Sequence, residues 1–224
     1  MRLAVICDNF PYMLGGFELT VFLAVVSMLG SMATGTLVAV LRLSDIWVVR
    51  NLALVFINVF RSIPLLMFIF WFFFLIPILV GRTAPPVLVA ALALITFNTS
   101  YMAEVIRSGI QSVPKGQMEA ARSSGLGYAR AMGHIILPQA IRYMLPAVVS
   151  RFIALFMSTS LVFIIGVTEF FRAANNVNNR VFESYTIFGF VALVYFVCCF
   201  GLSTFSRFLQ RRTGASDRVA SGSH

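Results

Sequence analysis

Phe68-Ile69-Phe70-Trp71-Phe72-Phe73-Phe74-Leu75 is an unbroken run of large apolar side chains. A strand of a membrane barrel would alternate apolar with polar residues, and a helix on the surface of a soluble domain would keep a polar face. This run does neither, so it belongs to a helix that meets lipid and other helices. It lies within an apolar block at residues 54–80, and four similar blocks occupy residues 17–41, 85–107, 145–167 and 185–205. Each is long enough for the roughly 20 residues that a helix needs to cross a hydrocarbon core. Of 224 residues, 59% are hydrophobic and 11% charged, whereas a soluble domain carries about a quarter charged residues. The expected fold class is all-α integral membrane, with about five transmembrane helices.

The block at 54–80 is long enough to require tilt or an extension beyond the core. Gly81-Arg82-Thr83-Ala84 then makes a short turn, and Pro85 and Pro86 open the third span, where a missing N–H is harmless. Residues 1–16 are expected outside the membrane, before the first span. Cys7, Asp8, Asn9 and Pro11 interrupt that segment, so it does not resemble a cleavable signal peptide. Residues 209–224 form an Arg-rich tail, and its Ser221-Gly222-Ser223-His224 end suggests an appended remnant. Cys198 and Cys199 sit within the last apolar block without a neighbouring His, and with Cys7 they offer neither a metal site nor a disulfide framework.

The net charge is +9, and 16 of the 17 basic residues are Arg. Most lie in short connections between apolar blocks, which is a topology signal rather than a nucleic-acid footprint. Thirteen fall on one side: Arg42, Arg50, Arg61, Arg107, Lys115, Arg122, Arg130, Arg142, Arg151, Arg207, Arg211, Arg212 and Arg218. Four fall on the other: Arg2, Arg82, Arg172 and Arg180. The positive-inside rule places the first group in the cytoplasm, with the N-terminus outside and the C-terminus inside. In the first span, Ser27, Ser31, Gly35 and Ala39 form a stripe of small residues at a spacing of four, suited to close helix packing.

The connection between the third and fourth spans is unusual. Gln117 to Ser124 are helix formers preceded by Pro114 and Gly116, and Gly125 is placed to end them in a left-handed conformation. Ala120, Ala121, Ser123 and Ser124 are small, whereas a helix lying on lipid would carry bulky apolar residues. A short cytoplasmic helix built for protein docking is predicted here.

Glu119-Ala120-Ala121, three residues, Gly125, nine residues, then Ile135-Ile136-Leu137-Pro138 resembles the EAA motif of ATP-binding-cassette importer permeases. The resemblance runs from about residue 17 to 212. Arg61-Ser62-Ile63-Pro64-Leu65-Leu66 and Tyr101-Met102-Ala103-Glu104 are similar to stretches of the polar amino-acid permeases. Thr159-Ser160-Leu161 and Gly166-Val167-Thr168-Glu169 look closest to the glutamate/aspartate permease subunits. The resemblance implies a type I importer permease domain at residues 17–208. It also implies a coupling helix that docks on an ATPase through Lys115, Gly116, Glu119, Ala120, Ala121, Arg122 and Gly125, followed by Ile135, Leu137 and Pro138. The implied partners are a dimer of ATP-binding subunits, a second permease of the same or a similar chain, a periplasmic amino-acid-binding protein and the lipid bilayer of a bacterial inner membrane. Relatives often carry Lys-Asp or Gln-Asp where this chain has Met157-Ser158, so contacts from those side chains do not carry over.

An importer needs an energy source, and no Gly-x-x-x-x-Gly-Lys-Ser/Thr loop is present. The resemblance assigns ATP and Mg to the partner ATPase and no cofactor to this chain. No Ser-His-Asp or Cys-His set can be assembled, and Ser112 and Lys115 match Ser-x-x-Lys without the other elements of that enzyme class. His134 is expected on a helix surface. A membrane-embedded enzyme would need such a nucleophile or a metal cluster. A stand-alone secondary transporter or channel is the other rival, and five spans without an inverted repeat argue against a secondary transporter. Neither rival accounts for the cytoplasmic helix. Polar residues in the spans mark the pathway: Arg61, Asn98, Ser158, Thr159 and Ser160, with Asn58 and Arg151 as further candidates. Arg61 and Arg151 are expected near the cytoplasmic ends, with snorkelling as the alternative. The three hydroxyls have their own helix backbone as alternative partners. Glu104 and Arg107 are spaced to pair on one helix face.

Overall fold

The computed structural model describes residues 2–213 and is helical throughout, with no strand among the described residues. Helix α1 (Arg2–Arg42) is followed by α2 (Trp47–Ser62), α3 (Leu65–Val80), α4 (Pro86–Gln111) and the short α5 (Lys115–Ser123). Then come α6 (Tyr128–Ala131), a π-helical turn (Met132–Ile136) and α7 (Leu137–Ser158). A 3-10 segment (Thr159–Ile165), α8 (Phe170–Val181) and α9 (Ser184–Thr213) complete the chain. Four segments are long and apolar enough to span a membrane: Ala4–Arg42, Pro86–Gln111, Tyr128–Ile165 and Ser184–Phe208. The α2–α3 pair supplies the fifth if counted as one broken span. The all-α membrane fold is the one the sequence predicts, and its about five spans match the structure when the bent pair counts as one.

Helix α4 is the central post. Its Ala90, Ala93, Leu94, Met102 and Ala103 are buried, and α1 lies along it. The small-residue stripe makes that contact: Ser27, Ser31 and Ala39 are fully buried. A Cβ on Gly35 would come within 2.7 Å of Met102 Cβ, so the two helices touch at backbone distance there. Asn98 Nδ2 donates to Ser31 Oγ at 2.7 Å, and Thr34 and Thr99 hydroxyls bond at 2.6 Å. Hydrogen bonds of this kind join helices where no hydrophobic driving force separates one helix from lipid.

Four sequence expectations need correction. Residues 54–80 are not one helix. Pro64 forces Ile63 out of the helical region, to φ −93°, ψ 131°, and α3 restarts at a bend of 104°. The first helix begins at Arg2 rather than near residue 17, because Pro11 is absorbed within a continuous helix. The fourth span starts its regular α-helix at Leu137 and tightens to 3-10 geometry from Thr159, ending at Gly166 with φ 95°.

The fourth correction concerns residues 168–184, expected as a polar loop. They contain α8, whose Phe170, Ala173, Ala174 and Val177 are buried and share one face. Glu169 is its N-cap: Phe171 N–H donates to Oε2 and Arg172 N–H to Oε1, each at 2.8 Å. Phe170 N–H donates to Thr20 Oγ1 of α1 at 3.1 Å, and Ala173 N–H to the Glu169 carbonyl at 2.8 Å. The N–H groups of Phe170, Phe171 and Arg172, which have no intrahelical partner, are thereby satisfied, and Ala173 makes the first intrahelical bond. Helix α1 approaches closely because Gly16 lacks a side chain; a Cβ there would lie 2.8 Å from Ala173 Cβ. The tail beyond residue 213, with Ser221 to His224, lies outside the described residues.

Candidate functional site

The predicted docking helix is α5. Pro114 precedes it, and its end follows the Schellman pattern. Gly125 N–H donates to the Arg122 carbonyl at 3.0 Å, and Leu126 N–H to the Ala121 carbonyl at 3.1 Å. Gly125 has φ 80°, the left-handed region expected for it. Lys115, Gly116, Glu119, Ala120, Arg122 and Gly125 are exposed. Ala121 is not: it is 4% exposed. The resemblance implies an interface role for both alanines, but only Ala120 is exposed.

Beneath α5 lies a small separate core. Val113, Ile136 and Ala140 are buried there, and Met118 of α5 and Met132 of the π turn pack against them. This core ties α5 to the lower ends of α4 and α7. Within the Ile135–Pro138 motif, Ile136 is the fully buried residue, while Leu137 and Pro138 face outward. The π turn precedes Pro138, which has no N–H for the regular ladder. His134 is exposed, as expected, with Nδ1 3.1 Å from the Arg130 carbonyl.

The polar residues of the spans divide into two groups. Ser158, Thr159 and Ser160 each donate to their own helix backbone, at 2.8 Å, 2.7 Å and 2.8 Å. Thr159 is fully buried. Their hydroxyls are therefore spent locally, and Asn58 is exposed on α2. The second group converges. Arg151 of α7 donates through Nη2 to Asn98 Oδ1 of α4 at 2.8 Å. Its guanidinium lies 3.9 Å from the centre of the Tyr101 ring, and that of Arg61 lies 5.2 Å from the same ring. One aromatic ring thus serves two cations, each within cation–π range. The expected position of Arg151 is corrected: it stands roughly 20 Å along α7 from Leu137, at 1.5 Å per residue, and meets the middle of α4. Tyr101 and Ser31 were not singled out as pathway residues. The available signal was that Asn98, Tyr101 and Glu104 recur every third residue, on one face of a helix.

Arg107 holds Glu104 through Nε at 3.0 Å and also reaches Gln111, so this acid is already paired. No group of three or more His, Cys, Asp or Glu is arranged to hold a metal among the described residues. Cys7, Cys198 and Cys199 are free.

Comparison with known proteins places this geometry in context. Residues 27–215 match the family model described as binding-protein-dependent transport system inner membrane component. The glutamate/aspartate import permease protein GltK of Escherichia coli O6:H1 is 36% identical over 93% of this chain and 96% of its own length. The inner membrane amino-acid ABC transporter permease protein YhdY of Escherichia coli K12 is 37% identical over 88% of this chain, which spans only 55% of that relative. Among solved structures, an amino acid ABC transporter with histidines superposes with a TM-score of 0.87 at 29% identity, covering 95% of this chain and 98% of the other. The apolar helices, the exposed α5 and the sequence match across most of the chain agree: the protein belongs to the family of binding-protein-dependent transport system inner membrane components.

Proposed function

We propose that this chain is the permease subunit of an ATP-driven amino-acid importer and that its cargo is glutamate or aspartate. The observation that carries the reading is α5, a short helix outside the apolar bundle with a small-residue outer face, fastened by its own core to α4 and α7. ATP and Mg belong to a separate ATPase dimer that seats on α5. A second permease chain completes the pathway, and a periplasmic binding protein delivers the cargo. Closure of the ATPase dimer moves α5, and the Met118–Ile136 core passes that motion to α4 and α7, giving alternating access. The protein does no chemistry of its own.

The chain sits in the bacterial inner membrane with its N-terminus periplasmic and its C-terminus cytoplasmic. The sequence count of thirteen basic residues in the segments assigned to the cytoplasm against four in those opposite supports this orientation. The acidic cargo follows from the Arg61–Tyr101–Arg151 cluster. Guanidinium groups bind carboxylates through two parallel hydrogen bonds, and the nearest span acid, Glu104, is taken by Arg107. Asn98 orients the cluster. The hydroxyls at 158–160 shape the 3-10 end of α7 beside the pathway, and their backbone bonds leave them a lesser part.

The test is reconstitution of the complete complex in proteoliposomes with its ATPase and binding protein, assaying ATP-dependent uptake of L-glutamate, L-aspartate, L-glutamine, L-histidine and L-cystine. Uptake of the two acidic amino acids in preference to the others is expected. Uptake confined to L-histidine or L-cystine would overturn the cargo, and uptake independent of ATP would overturn the importer reading.

A further inference from the structure

Arg151 carries its charge in the middle of a spanning helix and is held there by neutral partners. Nη2 donates to the Asn98 amide oxygen at 2.8 Å, and the guanidinium packs 3.9 Å from the Tyr101 ring centre. Its Nε is buried with no hydrogen-bond partner among the described residues. Its direct partners are neutral, and the nearby cation, Arg61 on the same Tyr101 ring, repels it, so the guanidinium gains strongly from a carboxylate.

The neutral partner is itself fixed from behind. Asn98 Nδ2 donates to Ser31 Oγ at 2.7 Å, and Ser31 spends its hydroxyl proton on the Met28 carbonyl at 3.0 Å. Ser31 is therefore left only to accept from Asn98, and this sets the amide with its oxygen toward Arg151. The relay Ser31–Asn98–Arg151 links α1, α4 and α7, and all of Ser31 and Asn98 is buried.

We propose that Arg151 is a load-sensing switch, parked on Asn98 and Tyr101 and transferring to the α-carboxylate of an amino-acid cargo, with Asn98 and Ser31 as positioning residues that set how readily it leaves. This rests on the reading that the Arg61–Tyr101–Arg151 cluster lies in the cargo path. A carboxylate offers a charged, two-pronged acceptor and takes up the idle Nε, whereas Asn98 offers one neutral oxygen. Transfer opens the tie between α4 and α7. The lower end of α7 continues through the π turn to Ile136 and Met132, in the same apolar cluster as Met118 of α5. The release is thereby carried to the ATPase-facing helix.

The experiment is equilibrium binding of a radiolabelled amino acid to the purified full complex without its binding protein. The probe is whichever of L-glutamate, L-aspartate and L-glutamine the parent transports best; all carry the α-carboxylate. Asn98→Asp gives Arg151 a charged parking partner, and Kd should rise tenfold or more. Asn98→Ala removes the parking bond, and Kd should fall several-fold. Ser31→Ala should shift Kd in the same direction as Asn98→Ala by less, and supplies that arm if Asn98→Ala fails to insert. A merely structural role would weaken binding in all three. If Arg151→Gln and Arg61→Ala both leave Kd unchanged, the cargo path lies elsewhere and the underlying reading fails. If those two weaken binding while Asn98→Asp and Asn98→Ala shift Kd the same way, the cargo path stands and the switch is overturned.

Discussion

Leu126 N–H reaches back 3.1 Å to the carbonyl of Ala121, and this bond turns the chain under α5 while Gly125 holds φ at 80°. Ala121 is buried, and Ala120 is the open alanine of the outer face. Two substitutions separate docking from the integrity of the loop itself.

Ala120→Trp should leave membrane insertion and thermal stability unchanged and abolish co-purification with the ATPase. A bulky side chain in a well-filled contact costs about 1–3 kcal/mol. That is roughly a five- to 150-fold loss of docking affinity. Gly125→Val should instead disturb the loop, since a left-handed backbone costs a side-chain-bearing residue about 1–2 kcal/mol. If Ala120→Trp binds the ATPase and couples transport as the parent does, α5 is not the coupling element.

The orientation is read by labelling single cysteines placed at Ser123 of α5 and at Asn179 on α8, in a background lacking Cys7, Cys198 and Cys199. Both positions are exposed. An impermeant thiol reagent should modify the position on α8 in intact spheroplasts and the position on α5 only after permeabilisation. The reverse pattern would invert the topology.

Arg61→Ala and Ser158→Ala should differ in effect. Arg61 presents its guanidinium over Tyr101, and its removal should lower the uptake rate about tenfold or more if it supplies one charge-assisted contact of about 1.5–3 kcal/mol. Ser158 spends its hydroxyl on the Ala154 carbonyl at 2.8 Å, so Ser158→Ala should keep uptake within about twofold, in line with the small net effect of a satisfied backbone bond. Uptake kinetics measured side by side decide it; equal defects would show that the 3-10 end of α7 matters as much as the cation.

Glu169→Ala should destabilise the α1–α8 junction by about 0.5–2 kcal/mol through loss of the N-cap. Burial adds to this, because the N–H groups of Phe171 and Arg172 lose the partners they have at 2.8 Å. Thermal unfolding in detergent should show a lower midpoint for Glu169→Ala and a smaller drop for Glu169→Gln, which keeps one acceptor oxygen. Equal midpoints for all three proteins would remove the cap from the account of this junction.

Much was legible in the chain before folding was considered. Apolar blocks of spanning length determine a helical membrane protein, because hydrocarbon leaves the backbone no partner but itself. The Ser27–Ala39 stripe determines a close helix contact, and Pro114 with Gly125 brackets α5, because small side chains and special backbone angles act locally. Pro64 also carried its message, but the surrounding apolar run masked the break at Ser62. The amphipathic α8 was hidden by its polar composition, since its four buried residues number too few to stand out from a loop.

Tertiary structure alone decided the rest. Asn98 and Arg151 are 53 positions apart and bond at 2.8 Å. Ser31 and Asn98 are 67 apart and bond at 2.7 Å. No local rule links them, because such pairs form only when whole helices have packed. Which face of α5 is covered was likewise fixed by packing, since its Met118 joins Met132 and Ile136 in one apolar cluster. Sequence determined which groups hydrocarbon would penalise; packing determined which of them meet, and a buried cation takes its function from what it meets.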